Sequence, residues 1–161
     1  MPPTRFVTDS SLAHLARRLR FLGYDVVTLR GARLEEVMAA ARRDERTVLT
    51  LSARRPRRWA DVPVIGIERG NEAPALRMLA SSCEPAGAPF SRCGECNALL
   101  EPRHAIEARG EVPARVLRRG SPLRYCPGCG RWYWDGSHVR HIRAWLESAL
   151  GRPLGDAPPA P

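Results

Sequence analysis

Four cysteines constrain this chain more than any other feature. They fall in two identical pairs, Cys93-x2-Cys96 and Cys126-x2-Cys129, with 29 residues between the pairs. Two residues between thiols let both sulfurs reach one ion from a tight turn, and two such turns complete the four-sulfur tetrahedron that Zn2+ prefers. The spacing predicts a structural Zn2+ site made of Cys93, Cys96, Cys126 and Cys129, and places the chain in a reducing, cytoplasmic compartment. A redox dithiol is the weaker alternative, because the two pairs match and the second encloses Pro127-Gly128. Cys83 lies outside the pattern and reads as a small buried apolar side chain.

Around the cysteines the sequence is broken by Pro102, Gly110, Pro113, Gly120 and Pro122, which suits the loops and small hairpins of a zinc ribbon. So few aliphatic residues would bury too little area alone, so loss of metal is expected to unfold this half. Trp132, Trp134 and Trp145 are expected to pack against the knuckles and a terminal helix. That helix is expected to be capped by Ser137, to carry Ile142, Trp145, Leu146 and Leu150, and to end at Gly151.

Upstream the period changes. Arg5 to Thr8 reads as a strand. Leu12, Leu15, Ala16, Leu19 and Leu22 then follow at helical spacing up to Gly23, with Arg17, Arg18 and Arg20 expected to point away from the apolar stripe. Val26–Leu29, Thr47–Leu51 and Val62–Ile67 read as further strands, Leu34–Arg43 as a helix, and Asn71 as the cap of another helix through about Ala80. Apolar strands alternating with helices predict an α/β fold, a parallel sheet flanked by helices. The expected organisation is an α/β domain over 1–84, a Pro/Gly/Ala linker over 85–90, a zinc ribbon with C-terminal helix over 91–151, and a disordered tail over 152–161.

All 26 basic residues are Arg, and the formal charge is +9. Four thiolates on one Zn2+ would lower it only to about +7. A polyanionic partner is one reading, and an arginine-rich coding bias on an ordinary surface is the other. The α/β half is the more basic, with 15 Arg against nine acids in residues 1–80 and 11 against eight in the remainder. Its densest run, Arg54-Arg55-Pro56-Arg57-Arg58-Trp59, offers guanidinium groups for phosphates and an indole for an unstacked base, or else is a solvated loop. No membrane span and no secretory leader is visible in the pattern.

From about Arg5 to Leu150 the chain resembles the mutator-seven carboxy-terminal RNase domain family. The resemblance is carried by Phe90-Ser91-Arg92-Cys93-Gly94-Glu95-Cys96-Asn97, Val112-Pro113, Cys126-Pro127-Gly128-Cys129-Gly130-Arg131 and Tyr133-Trp134-Asp135-Gly136-Ser137-His138. In the first half it is carried by Asp9, by Leu15 through Asp25, and by Arg46 through Thr50. It implies a compact PIN-like sheet followed by a four-cysteine ribbon, and RNA cleavage by carboxylates holding Mg2+ or Mn2+ at the carboxyl ends of the strands. Asp9 is where such a ligand is expected, though it could equally be an N-cap.

The chain also departs from that family. Family members usually carry Thr-Arg-Asp where this chain has Thr50-Leu51-Ser52, so Ser52 replaces a second acid. The acid usual before the second helix is Leu34 here, with Glu35 and Glu36 adjacent; 100° apart on a helix, at most one of them would face Asp9. Asp61 and Asp135 are further acids that the fold could bring in. The expected site is thus Asp9, Glu35 or Glu36, and Ser52, with Arg17, Arg54, Arg55, Arg57, Arg58 and Trp59 on RNA. The expected activity is a metal-dependent ribonuclease with an incomplete acidic cluster. The alternative is a catalytically degenerate RNA-binding or protein-interaction module.

Overall fold

The computed structural model describes residues 3–156 of the chain. Its first half is β1 (Arg5–Asp9), α1 (Ala13–Phe21), β2 (Asp25–Leu29), α2 (Leu34–Asp44), β3 (Thr47–Thr50), β4 (Val64–Gly66) and α3 (Glu72–Ser82). The four strands are parallel and ordered β2-β1-β3-β4. The α/β expectation is met, with element ends within a few residues of those read from the periodicity.

Alternation along β1 explains the layering. Phe6 and Val7 are both fully buried but face opposite sides of the sheet. Phe6 joins Leu15, Leu19, Val26, Leu49, Leu76 and Leu79 under α1 and α3. Val7 joins Val37, Met38, Val48 and Val62 under α2. Asn71 caps α3 as expected, its side chain accepting from the Ala73 amide at 3.0 Å.

The second half contains β5 (Glu101–Arg103), α4 (Ala114–Arg118), β6 (Leu123–Tyr125), β7 (Trp132–Trp134) and α5 (Ser137–Leu150). The three strands form an antiparallel sheet in sequence order. Residue 136 is the cap of α5, and Ser137 is its first helical residue and makes no capping bond. Leu146 and Ala149 of α5 are buried in the same cluster as Phe6 and Leu76. The last helix therefore roofs the α/β sheet beside α3.

The stretch 85–90, read as a linker, lies against the end of α1. The amides of Ala86 and Gly87 both donate to the Gly23 carbonyl at 3.1 Å, and the Phe90 amide donates to Phe21 at 2.8 Å. The buried Phe90 ring packs on Phe21 with centroids 5.6 Å apart. Of the tail expected to be disordered, residues 157–161 lie outside the described residues. Leu154 packs on the main core, and its amide donates to Glu147 at 3.0 Å. Among the described residues no helix is long and apolar enough to cross a membrane.

Candidate metal centre and sheet-edge site

Two turns of the same form carry the cysteines. The Cys93 amide donates to Ala98 and the Asn97 amide back to Cys93, at 2.8 and 3.0 Å; Cys126 and Gly130 repeat this with Arg131 and Cys126, at 2.8 and 2.9 Å. The residue after each second cysteine has positive φ, Asn97 at 71° and Gly130 at 74°, in the left-handed region that Asn and Gly tolerate best. The sulfurs of all four cysteines lie within 4.8 Å of one another. Cys93 and Cys129 are 3.6 Å apart and Cys96 and Cys126 3.3 Å. An ion about 2.3 Å from four tetrahedral sulfurs would set edges of about 3.8 Å, so the set fits a tetrahedral metal such as zinc with small adjustment.

The surroundings favour thiolate at one member. Burial works to raise the Cys93 thiol, yet the Tyr133 hydroxyl at 3.0 Å, the amides of Cys96 and Glu95 and the Cys129 thiol together bring it down to about 7. Burial instead pushes Cys126 up to about 12 and raises Cys129. Their ionisation needs a cation among them, which is how metal binding releases protons. Space is also shaped for this centre: a Cβ at residue 128 would sit 3.0 Å from the Cys96 sulfur.

The first knuckle is bolted to the edge strand β2. Arg20, only 5% exposed, donates from Nε to Val26 O at 2.9 Å and from Nη2 to the Thr28 hydroxyl at 2.7 Å. Its Nη1 donates to the carbonyls of Gly94 and Glu95 at 2.9 and 3.1 Å. Arg20, expected to point away from the apolar stripe, is nonetheless buried: a fork with five donors can stay charged there, provided carbonyls surround it. Beside it Asn97 accepts from the Val26 amide at 3.0 Å and donates to Asp25 at 2.7 Å, while Arg46 donates to the same carboxylate at 2.8 Å. Burial opposes ionisation of Asp25, but Arg46, Asn97 and Arg92 outweigh it and hold its carboxyl below the ordinary value of 3.8. Arg17, expected on RNA, pairs with Glu95 at 3.0 Å.

At the carboxyl edge of the sheet, Asp9 ends β1 and Ser52 follows β3. The two strands are neighbours at the point where the strand order reverses, the usual ligand crevice of such sheets. The Asp9 Oδ1 atom accepts from the amide and hydroxyl of Ser11, at 2.8 and 2.5 Å, so Asp9 does cap the turn that follows. Ser52 closes a turn of its own, its hydroxyl accepting from the Arg54 amide at 3.1 Å.

The two glutamates are held elsewhere. Glu35 accepts from Trp59 Nε1 at 2.7 Å and pairs with Arg58 at 2.5 Å, which keeps its carboxyl below the ordinary value. Glu36 accepts from the Arg33 amide at 2.6 Å and caps α2. Asp61 is taken by Arg42, whose guanidinium also lies 4.3 Å over the Trp59 ring. Trp59 thus has a structural place, packed on the Val7 side of the sheet. Among the described residues the four cysteines are the only set of three or more metal-type side chains brought together. The acids do not fit a bound pair of Mg2+ or Mn2+.

One loop at this edge carries arginines that are in no ion pair among the described residues. Arg54 and Arg57 are exposed, with no carboxylate on either among the described residues. Arg55 donates to the carbonyls of Ser52 and Arg54 at 2.7 and 3.0 Å. Arg20, Asn97 and Tyr133 escaped the sequence reading. All three stand in segments that carry the family resemblance, but nothing in their spacing states these contacts.

A family model described as the Mut7-C RNAse domain matches residues 4–146, spanning both the sheet edge and all four cysteines. The chain belongs to the Mut7-C RNAse domain family. Comparison with curated proteins and with solved structures returns no match. Family membership suggests a ribonuclease-type function, and the match takes in both the sheet and the cysteine site.

Proposed function

We propose that this Mut7-C chain binds single-stranded RNA along the carboxyl edge of its sheet, with Zn2+ at the four cysteines as a structural ion. The observation that carries this reading is the split at that edge. Arg54, Arg55 and Arg57 are exposed on the loop after β3 with no carboxylate on them, whereas Glu35 is occupied by Arg58 and Trp59 and Glu36 by the start of α2. Guanidinium groups in no ion pair suit phosphates, and engaged carboxylates do not suit a metal pair. The expected protein contacts phosphodiesters at the position where relatives with a full acid set would cut them.

A second reading, cleavage with Mg2+ or Mn2+, draws on one observation. Both Ser11 bonds fall on Oδ1 of Asp9, and Oδ2 has no partner among the described residues. The two readings separate in one experiment. A panel of single-stranded and structured RNAs is incubated with the zinc-loaded chain in Mg2+ or Mn2+, beside Asp9→Asn and EDTA controls, with binding followed by fluorescence anisotropy. Binding that weakens in Arg54→Gln/Arg57→Gln, without new products, supports the first reading. Products lost in both controls establish the second. No binding at low salt removes the RNA reading itself.

A further inference from the structure

Between the cysteine pairs lies a second arginine surface that the sheet edge does not explain. Instead of open loops, residues 105–119 form a 3-10 turn (Ala105–Ala108) and α4. Ala108, Val112, Val116 and Leu123 make a small core of their own, closed by Leu117, Trp132 and Trp134. With the apolar side chains turned inward, Arg109, Arg115, Arg118 and Arg119 are left exposed. At 100° per residue, Arg115, Arg118 and Arg119 share about 100° of arc on α4.

These charges are uncompensated. Arg17, Arg18, Arg42, Arg58 and Arg103 each have a carboxylate partner. The four on this surface have none among the described residues, although Glu111 lies in their midst. Its carboxylate is taken by Trp132 Nε1 at 2.7 Å. Favourable placement at the end of a helix accounts for Arg115 and Arg118 in part, but not for Arg109, which precedes α4. Alongside runs an open groove of about 660 Å3 lined by Val112, Pro113 and Leu117 together with Arg109, Arg118 and Glu111.

We propose that this surface is a second contact for single-stranded RNA: the guanidinium groups take backbone phosphates and the apolar groove takes a base or ribose. The proposal rests on the RNA reading of the sheet edge, since a strand held there already raises its own concentration at the second surface. RNA fits better than an acidic peptide because planar guanidinium forks beside an apolar groove match alternating phosphates and bases. Two surfaces make the chain bivalent for long RNA only.

The test compares oligouridines of about 30 and about 6 nucleotides, longer and shorter than two adjacent contact sites. Anisotropy is measured on the zinc-loaded chain, on Arg109→Gln/Arg115→Gln/Arg118→Gln/Arg119→Gln, and on Arg54→Gln/Arg55→Gln/Arg57→Gln, with zinc content and circular dichroism confirming the fold. The expected result is a loss of about tenfold or more for the long RNA in the four-Arg variant. Its salt slope should fall by about 0.7 per lost phosphate contact, with no more than about a twofold change for the short RNA.

Unchanged long-RNA affinity in that variant overturns the second surface while the sheet-edge reading stands. No effect of the three-Arg variant overturns the sheet-edge reading instead. Displacement of RNA by polyglutamate at equal charge would assign the surface to an acidic protein and also overturn the proposal. Should the four-Arg variant misfold, ultraviolet crosslinking of 4-thiouridine RNA to the unaltered chain decides. Adducts within 109–119 support the proposal, and adducts confined to 52–59 overturn it.

Discussion

Arg20 donates from Nη1 to the carbonyl oxygen of Gly94 at 2.9 Å, across 74 residues of sequence. The same guanidinium holds Val26 and Thr28 of β2, so one side chain joins the sheet edge to the first cysteine turn. Desolvation pulls its pKa below the ordinary guanidinium value, and the ring of acceptors keeps the charge tolerable. Replacing it with Met leaves those carbonyls without donors. Hydrogen bonds to charged groups are worth about 1.5–3 kcal/mol each, so Arg20→Met should destabilise the zinc-loaded chain by at least about 3 kcal/mol. Urea unfolding measures it, and a loss below about 1 kcal/mol would show that the bridge is dispensable. Arg20→Lys should recover only part, because an ammonium cannot span both sides.

Gly23 carries the opposite kind of constraint. Its φ is +92°, and a Cβ there would stand 2.0 Å from the Gly87 carbonyl oxygen, which the 85–90 stretch cannot move without losing its bonds to Gly23. The dihedral alone costs about 1 kcal/mol in an L residue. Gly23→Ala should lower the thermal midpoint by at least about 3 °C for a chain of this size. Differential scanning calorimetry reads it directly, and an unchanged midpoint would mean that 85–90 is not pinned.

Asp25 sets a pH dependence with a definite sign. Its folded pKa is depressed below 3.8, so its contribution to stability is complete above the ordinary carboxylate range and is lost as pH falls from about 4 through the folded value. Stability measured from pH 6 to 3 should decline more steeply in the natural chain than in Asp25→Asn. Parallel curves would place the acid sensitivity on other carboxylates.

The layers of this fold are written in local periods. Leu15 and Leu19 at helical spacing, and the run at Val26, specify helix and strand without help from the rest of the chain. Arg20 is not legible in that way, because what buries it is a carbonyl 74 residues on. Three-residue strands such as Leu123–Tyr125 are too short to show alternation, so the prolines and glycines announce small hairpins without saying which residues pair. The metal site lies at the other extreme, since ligand spacing states the chemistry outright. The acids fall between. Asp9 ends a strand whose apolar run is legible, but the occupation of Glu35 by Trp59 depends on a contact across 24 residues that no motif encodes.

Purified chain should contain one zinc. Chelation should loosen the cysteine half, because its strands β5 to β7 are short and its own core is a handful of residues. Trp132 and Trp134 sit on that small core, so their fluorescence should shift to the red as metal is withdrawn. Full-strength tryptophan signal and an unchanged melting curve after complete zinc removal would show that packing alone holds the ribbon.

Ser52 is the position where a second carboxylate can be tested beside Asp9. Its hydroxyl accepts from the Arg54 amide at 3.1 Å, a turn contact that an aspartate side chain makes equally well, so Ser52→Asp should leave the loop intact. It would put a second carboxylate after β3, on the strand beside β1 and Asp9. Two carboxylates sharing a cation bind Mn2+ more tightly than one, so titration calorimetry should show Mn2+ affinity rising by about tenfold or more, equivalent to about 1.4 kcal/mol. Single-stranded RNA should then be cut faster than by the natural chain, and Asp9→Asn in the same background should abolish the gain. The arginines of the loop oppose the change, since Arg54 and Arg55 would compete with the metal for the new acid. A variant that binds Mn2+ no better than the natural chain would mean that the loop has been remade around phosphate binding, and that one acid is too few to turn it back.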